Sequence, residues 1–332
     1  MTKHFSFLTL LFVAGAAIVF GLTTLAHPPR ALAGLPPTNE NRITSLYDAF
    51  SANDNLEQDW GYSALVEYNG KRILFDAGNN ADLFKRNVDK LGLDLRTIDF
   101  AVLSHPHADH LSGFNYLAQV NPDVKIYLPF DLHALGASPS VFRFGGPDSN
   151  AASALPPEQR YYGTGATEVN LLPSGRFYRA RNVEYLRENL DVAPGIKIIA
   201  TKSPYLGGFN GYPPNSPEKP TLSGLPELSL SLDTSQGEVL VVGCSHTGVE
   251  EIIKATRNAT GKPVDTVAGG FHLFPYDQAY VLALVDKVKN ELGVRRVSPS
   301  HCTGHLAFKA FKDAYQDRYI YGGLGSQLIF PA

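Results

Sequence analysis

Apolar and polar residues follow two different periods along this chain, and the shorter period predicts several β-strands. Residues 228–232 alternate leucine with serine, as in a strand with one buried face. Residues 100–103 and 239–242 are continuously apolar, which is typical of strands buried on both faces. Asn69-Gly70 lies between two apolar segments and predicts the two-residue turn of a β-hairpin.

Apolar residues also recur at helical spacing between these strands. One predicted helix begins after Asn80, its expected N-cap, and runs to about Leu91. Others are predicted after Ser112, the expected N-cap of a short helix, after residue 248, from about residue 276 to 292, and from His305. This alternation of strands and helices predicts an α/β fold.

Two long segments break the alternation. Residues 131–195 contain Gly-Gly-Pro and Pro-Pro sequences among scattered aromatic residues, and we predict an insertion there that could wall or cover a site. Residues 203–224 are rich in proline and glycine and predict a long loop.

Four ligand-type side chains follow the buried strand at residues 100–103. They are His105, His107, Asp109 and His110, in the order H-x-H-x-D-H. Neutral imidazole and carboxylate groups bind Zn(II), Fe(II) and Mn(II), and a chain that leaves a strand can bring several of them together. A solvated turn would explain one such histidine more easily than four ligand-type residues within six positions. We therefore predict a metal site.

Three later strands end in the same way. His246, His272 and His301 each follow a predicted strand, so the pattern of strand, histidine turn and helix occurs four times. Neighbouring strand ends can meet at one edge of a sheet, which would bring distant histidines together. His133 and His305 are expected to be ordinary surface or packing residues.

The H-x-H-x-D-H run resembles the signature of the metallo-β-lactamase superfamily. Together with Asp76-Ala77-Gly78 and the turns at 243–246, 269–273 and 301–304, it is similar to the branch described as dihydropteroate-synthase-like. That branch includes archaeal proteins linked to a ribofuranosyl-aminobenzene phosphate step of pterin biosynthesis. The resemblance implies an αβ/βα four-layer sandwich with two central mixed sheets over residues 43–332.

The resemblance also implies roles for individual residues. The expected ligands are His105, His107 and His246 for a first metal and Asp109, His110 and His301 for a second. Asp76 lies at a neighbouring strand end. It is expected to brace the metal loop, which is the segment from His105 to His110. One or two divalent ions are expected, with zinc as the first choice and iron or manganese as alternatives.

The chain departs from the superfamily pattern at two positions. Cys244 stands where many members have a bridging aspartate, so its thiolate either binds or bridges metal or is a packing cysteine. The histidine usual after the preceding strand is replaced by residues 201–204, and His246 is expected to substitute for it. His272 is expected to contact either the ligands or the substrate.

The leading functional hypothesis is hydrolysis of an ester, lactone, amide or phosphoester of a small molecule by metal-activated water. Asp109 would pass a proton to the leaving group, which makes it the candidate catalytic residue. An iron-dependent oxygenase or redox enzyme on the same fold is an alternative. A non-catalytic metal-binding protein of the cell envelope is another.

The composition and the amino-terminal sequence predict where the protein is located. With 332 residues, 44% of them hydrophobic, the chain can build a large core. Lys3, an uncharged segment and Ala31-Leu32-Ala33 predict a signal peptide at 1–33, followed by a linker at 34–42. The body is therefore expected in the periplasm or outside the cell, and an uncleaved leader would be its membrane anchor.

Charge and cysteine content limit the partners. Without residues 1–33 the chain has 27 basic against 32 acidic residues, which does not favour nucleic acid as a partner. Cys244 and Cys302 are expected to be free thiols, because each lies close to a candidate ligand histidine, although a disulfide between them is the alternative. The oligomeric state is not predicted.

Overall fold

The computed structural model describes residues 40–130, 180–203 and 225–332, together with Ala154, Pro156 and Phe177. Its strands in these residues are β1 (Arg42–Tyr47), β2 (Ser63–Tyr68), β3 (Lys71–Phe75), β4 (Phe100–Val102), β5 (Lys125–Pro129), β6 (Val183–Leu186), β7 (Leu190–Ala193), β8 (Ile196–Ser203), β9 (Leu225–Thr234), β10 (Gly237–Val242), β11 (Val264–Gly270), β12 (Arg296–Ser300) and β13 (Gln327–Ile329). The α-helices are α1 (Ala81–Lys90), α2 (Ala108–Leu111), α3 (Phe114–Val120), α4 (Val249–Thr260), α5 (Gln278–Asp286) and α6 (His305–Tyr315).

The strands form two mixed sheets. The first has the order β13-β1-β2-β3-β4-β5-β6, and the second has the order β12-β11-β10-β9-β8-β7. In the first sheet β3, β4, β5 and β6 are parallel, and in the second β10, β11 and β12 are parallel. The remaining neighbours pair antiparallel, including the β2–β3 hairpin that turns at Asn69-Gly70.

Three apolar clusters hold the layers together. One lies between the two sheets, where leucines of β9 and valines of β10 meet side chains of β2, β3 and β4. A second packs α1 and α3 against the outer face of the first sheet, and a third packs α4, α5 and α6 against the outer face of the second. The helix–sheet–sheet–helix order is the predicted αβ/βα sandwich, and burial of its apolar faces is the main stabilising contribution.

Local sequence signals agree with most of these elements. Asn80 caps α1, and its side chain accepts hydrogen bonds from the amides of Asp82 and Leu83. The helix expected at 276–292 is α5 followed by the π-helical segment Lys287–Glu291. Ser112 was wrongly expected to cap α3, because Gly113 holds that position.

Three short edge strands were missed. β6 and β7 lie inside the segment 131–195 that was predicted to be an insertion, and each forms the edge of one sheet. β13 pairs with β1 near the carboxyl terminus. β6 and β13 form by pairing with strands distant in sequence, which a local pattern does not report, whereas β7 pairs with the adjacent strand β8. Most of the rest of 131–195, including His133, and residues 204–224 lie outside the described residues.

The site-bearing segments share one edge of the sandwich. Since β1 is antiparallel to β2 and β2 to β3, the carboxyl ends of β1, β3 and β4 lie on the same side of the first sheet. The carboxyl ends of β10, β11 and β12 likewise coincide in the second sheet. Leu228 in β9 donates from its amide to the Ser104 carbonyl (2.7 Å), which joins the sheets at this edge.

The predicted leader and most of the linker, residues 1–39, lie outside the described residues. Among the residues that are described, the helices are all too short or too polar to cross a membrane.

Leu230→Ala tests the core between the sheets. Leu230 is fully buried there, so its truncation is expected to lower the free energy of unfolding by about 2–5 kcal/mol through lost burial and a residual cavity. Leu282→Ala is the matched control, because Leu282 on α5 is 49% exposed and its loss should change stability by about 0.5 kcal/mol or less. Urea denaturation followed by circular dichroism measures both, and equal effects would contradict this assignment of the core.

Candidate metal centre

The metal loop between β4 and α3 is fixed by the carboxylate of Asp76. Asp76 follows β3 with a φ of 57°, and its side chain is completely buried. It accepts hydrogen bonds from the Ser104 amide (2.6 Å) and hydroxyl (2.7 Å), and it lies 2.7 Å from Nδ1 of His110. The bracing role expected for Asp76 is thus visible in its contacts.

These contacts set the tautomers of two histidines. A carboxylate accepts hydrogen bonds, so His110 donates from Nδ1 to Asp76 and presents a lone pair at Nε2. The Ser104 hydroxyl donates its hydrogen bond to Asp76. Its oxygen therefore accepts a hydrogen bond from Nδ1 of His105, which lies 2.8 Å away. His105 also presents a lone pair at Nε2. One buried carboxylate thus directs two ligand nitrogens into the centre.

His105, His107 and His246 form the first donor set. Their ring centroids lie 4.7 to 4.8 Å apart in all three pairs, and Nε2 of His105 is 3.1 Å from Nδ1 of His107. Two nitrogens that each lie about 2.0–2.1 Å from one tetrahedral ion are roughly 3.3 Å apart. His105 and His107 therefore have the donor separation that a common cation requires, and the His246 ring lies close to both.

Asp109, His110 and His301 form the second donor set. Nε2 of His110 is 3.2 Å from Nε2 of His301, and Oδ2 of Asp109 lies 3.4 Å from the latter and 3.7 Å from the former. These distances also match two ligands on one small ion. The structure thus brings all six residues predicted as ligands together, although their role as ligands stays a prediction.

Cys244 lies between the two sets. Its sulfur and the ligand atoms of His105 and His246 all lie within 4.8 Å of one another, and the same holds for Cys244 with His110 and His301. The sulfur is 3.2 Å from Nε2 of His110. Cys244 and Cys302 are both buried free thiols.

The chain matches proteins of known family over this region. Residues 60–196 match the family model described as the metallo-β-lactamase superfamily. The crystal structure of Tm1679, described as a metal-dependent hydrolase of the β-lactamase superfamily, superposes with a TM-score of 0.62. It is 23% identical, and the match covers 88% of this chain and 100% of that one, which shows a shared fold.

The family model thus places a metallo-β-lactamase superfamily domain at residues 60–196 of this chain. Members of the superfamily bind one or two divalent metal ions. Four residues of the two donor sets, His105, His107, Asp109 and His110, lie within the matched residues.

Two curated relatives come from Methanocaldococcus jannaschii. One is 28% identical over 270 residues, which are 76% of this chain and 83% of the relative, and is named 7,8-dihydropterin-6-methyl-4-(β-D-ribofuranosyl)-aminobenzene-5′-phosphate synthase. The other is 26% identical over 276 residues, 80% of this chain and 91% of the relative, and is an uncharacterised protein.

Two buried carboxylates support the site and were missed in the sequence. Asp48, after β1, accepts a hydrogen bond from the His301 amide (3.1 Å). Glu227, at the start of β9, accepts from the amides of His246 (2.7 Å) and Thr247 (2.7 Å) and from the Thr247 hydroxyl. Both act on the backbone of a loop distant in sequence. The available signal in the sequence was a polar residue beside a buried strand. That signal does not indicate which loop the carboxylate contacts.

His272 and Cys302 lie behind the first donor set. The His272 ring centroid is 4.2 Å from that of His246. This agrees with the contact to a predicted metal-binding side chain that was expected for His272. His272, Cys302 and Cys244 form a third group whose ligand atoms lie within 4.8 Å of one another. His305 is exposed at the start of α6, as expected for an ordinary surface residue.

The turns at the site carry backbone strain. Asp76, Ser245, His272 and His301 have φ values between 48° and 64°, in the left-handed region that residues other than glycine rarely adopt. Each follows the carboxyl end of a strand. Such conformations cost about 1–3 kcal/mol each and persist where the surrounding contacts fix them. Here they let the chain turn sharply and project side chains towards one point.

Burial keeps the first donor set neutral. Burial, with repulsion from neighbouring imidazoles, lowers the pKa of His105 and His246 well below the ordinary value and brings that of His107 to about 4. In His301, burial acts in the same direction, but the Cys302 sulfur and the Asp109 carboxylate outweigh it and raise the pKa to about 9. In metal-free protein at neutral pH, His301 therefore carries a proton.

Asp109 is ionised. Burial raises its pKa, but His110 and His301 outweigh that effect and hold the pKa well below its usual range. The carboxylate is therefore available as a ligand over the physiological range.

Two exposed aromatic residues flank the centre. Trp60 and Phe274 are each 44% exposed, and their rings meet edge to face with centroids 6.0 Å apart. The Trp60 ring lies 5.0 Å from that of His301, and the Phe274 ring lies 5.4 Å from that of His272. They give the solvent side of the centre an apolar border.

Asp76→Asn is expected to weaken binding of the second ion by about 10–100-fold. The amide nitrogen cannot accept from Ser104 or His110, so His110 loses the contact that fixes its tautomer. Asp82→Asn, an exposed carboxylate in the first turn of α1, is the control and should leave affinity unchanged. Titration with zinc against a chromogenic chelator measures both constants. Equal affinities for wild type and Asp76→Asn would contradict the bracing role.

Binding of the second ion is expected to depend on pH. A group with a raised pKa stays protonated below that pKa, so His301 must release a proton before its nitrogen binds a cation. Affinity of the second set should therefore rise roughly tenfold per pH unit from about pH 7 and level off near pH 9. The histidines of the first set should add no such rise, because they are already neutral.

Calorimetric zinc titrations in buffers of different ionisation enthalpy count the protons released at each step. One more proton on the second step than on the first is the expected result near pH 7, because His301 belongs to the second set. Equal release on both steps would show that His301 does not distinguish the two sets.

Proposed function

We propose that this protein is a metal-dependent hydrolase that cleaves an ester, lactone, amide or phosphoester of a small molecule. The observation that carries the proposal is the convergence of two donor sets at separations suited to one small ion each. Zinc is the proposed metal, because neutral imidazoles dominate both sets and a sulfur lies between them.

The proposed ligands are His105, His107 and His246 for one ion and Asp109, His110 and His301 for the other. When bound, such ions lower the pKa of water to about 7 and polarise the oxygen of the bond to be cleaved. The chain's own contribution is to hold these donors rigidly. Asp76, Asp48 and Glu227 do so through buried hydrogen bonds to the loops that carry them.

Asp109 is the proposed catalytic residue. Its side chain is 20% exposed, whereas those of His110 and His301 are fully buried, so among these three it faces the substrate side. Its lowered pKa keeps it ionised. Its position beside the proposed ions would let it pass a proton to a leaving group. The reaction then needs no serine or cysteine nucleophile.

The substrate is proposed to be small and to carry an apolar or planar group. The border formed by Trp60 and Phe274 supports this, because exposed aromatic rings next to buried polar donors bind apolar parts of ligands. The net negative charge supports a small molecule over nucleic acid. We further propose that the protein is exported, on the basis of the leader sequence at residues 1–33.

A related reaction is a second candidate. The 28% identical relative is named as a synthase of a phosphorylated ribofuranosyl-aminobenzene compound joined to a pterin. That name favours including aryl ribosyl phosphates among the test substrates. The planar ring of such a compound could pack against Trp60 and Phe274.

Chelation is expected to abolish turnover, and zinc or manganese is expected to restore it, because the reaction depends on ions held by the two donor sets. The measurement is a panel of ester, lactone, amide and phosphoester substrates in pairs with aryl and alkyl leaving groups, combined with elemental analysis of protein purified without added metal.

Asp109→Asn should reduce kcat by about 100-fold or more. Asp99→Asn, a carboxylate bonded to Lys71 far from the centre, is the control.

The outcomes separate the alternatives. Undiminished activity after verified metal removal would refute metal-dependent hydrolysis. Stoichiometric iron with oxygen consumption would point to the redox alternative, and metal binding without turnover on any substrate would favour a non-catalytic role.

A further inference from the structure

We propose that the Cys244 thiolate bridges the two metal positions. The inference rests on the metal centre of the proposed function but not on hydrolysis, so it can be tested without a substrate. It assigns the shared ligand of the centre to a sulfur atom.

The first argument is position. Among the described residues that could hold an ion, Cys244 is the one that belongs both to the group with His105 and His246 and to the group with His110 and His301. A sulfur and a nitrogen on one tetrahedral zinc ion lie roughly 3.6 Å apart. The observed 3.2 Å between the Cys244 sulfur and Nε2 of His110 is within a few tenths of an ångström of that value.

The second argument is how firmly the backbone holds this sulfur. Gly243 precedes Cys244, and a Cβ placed on it would lie 2.1 Å from the Ser104 hydroxyl and 3.1 Å from the Asp76 carboxylate. The end of β10 is thus pressed against the bracing network of the metal loop. Ser245, on the other side, donates from its hydroxyl to the Gly270 carbonyl (2.8 Å). Both neighbours therefore fix where the Cys244 side chain can point.

The third argument is the environment. Cys244 is 3% exposed, and its sulfur lies within 4.8 Å of ring nitrogens of His105, His246, His110 and His301. A cysteine that served packing would lie among apolar side chains. This one is surrounded by imidazoles, where its contribution as a small apolar group would be slight and its contribution as a ligand would be large.

A bridging thiolate has a consequence for metal choice. With Asp109 it would supply two negative charges to two divalent ions, which leaves the centre positive towards an anionic group. Sulfur ligands favour zinc and iron, whereas carboxylate and water favour manganese and magnesium. Cys244 would therefore make the centre selective for zinc or iron.

The test uses the full chain loaded with cobalt(II), in the wild type and in Cys244→Ser, Cys244→Asp and Cys302→Ser. In the wild type we expect two cobalt ions per chain and a near-ultraviolet sulfur-to-cobalt charge-transfer band that grows through both equivalents. Cys244→Ser should lose the band and bind one ion less tightly by about tenfold or more. Cys244→Asp should lose the band, keep two ions and shift its preference towards manganese.

Cys302→Ser is the matched control, because Cys302 is equally buried but belongs to neither donor set. It should keep the band and both ions. Circular dichroism and thermal unfolding of the metal-free proteins establish that each variant folds, and Cys244→Asp keeps the test valid if Cys244→Ser does not.

Three results would overturn the proposal. A wild-type protein with two cobalt ions and no sulfur band excludes a thiolate ligand, and a band that saturates at the first equivalent excludes a bridge. A band lost in Cys302→Ser and kept in Cys244→Ser would move the ligand to the group with His272 and Cys302. A wild-type protein that binds no metal would refute the proposed function itself.

Discussion

The geometry of this protein depends on one buried carboxylate, that of Asp76. Its two oxygens take three contacts from Ser104 and His110, so a negative charge removed from water is compensated within a few ångströms. The same contacts decide which nitrogen of His105 and of His110 carries a proton. Without that constraint each imidazole could turn its N–H towards the centre, and ligand-type residues would be close together without being able to bind a cation.

The sandwich makes such a constraint possible because many strands end at one edge. The loops after β1, β3, β4, β10, β11 and β12 each contribute a side chain or a brace within a few ångströms of the others. The rigid part of the molecule is the sheet pair, and the strained turns at Ser245 and His301 are held by it. The stability of the two sheets therefore supports the strain at the site.

The sequence was most informative where a signal is local. The H-x-H-x-D-H run, the alternation in β9 and the Asn80 cap each depend on residues close together in the chain, and the structure has the corresponding elements. The resemblance to a known family supplied what local patterns lack, namely that His246 and His301 would meet the first loop. Edge strands such as β6, and braces such as Asp48 and Glu227, were missed because their partners are remote and their residue types are common at any strand end. The ligand roles themselves remain predictions.

The burial of the donors indicates the direction of approach to the centre. His105, His110, His246 and His301 are at most 3% exposed, whereas His107 and Asp109 retain partial exposure. Trp60 and Phe274 lie over His301 and His272 and cover the side of the later strands. A substrate of the proposed hydrolase would therefore present its reacting oxygen from the side of His107 and Asp109, with any apolar part directed towards the two aromatic rings. In this arrangement the proposed catalytic residue Asp109 lies at the open face of the centre, and Cys244 lies deeper, where the proposed bridge would not meet the substrate.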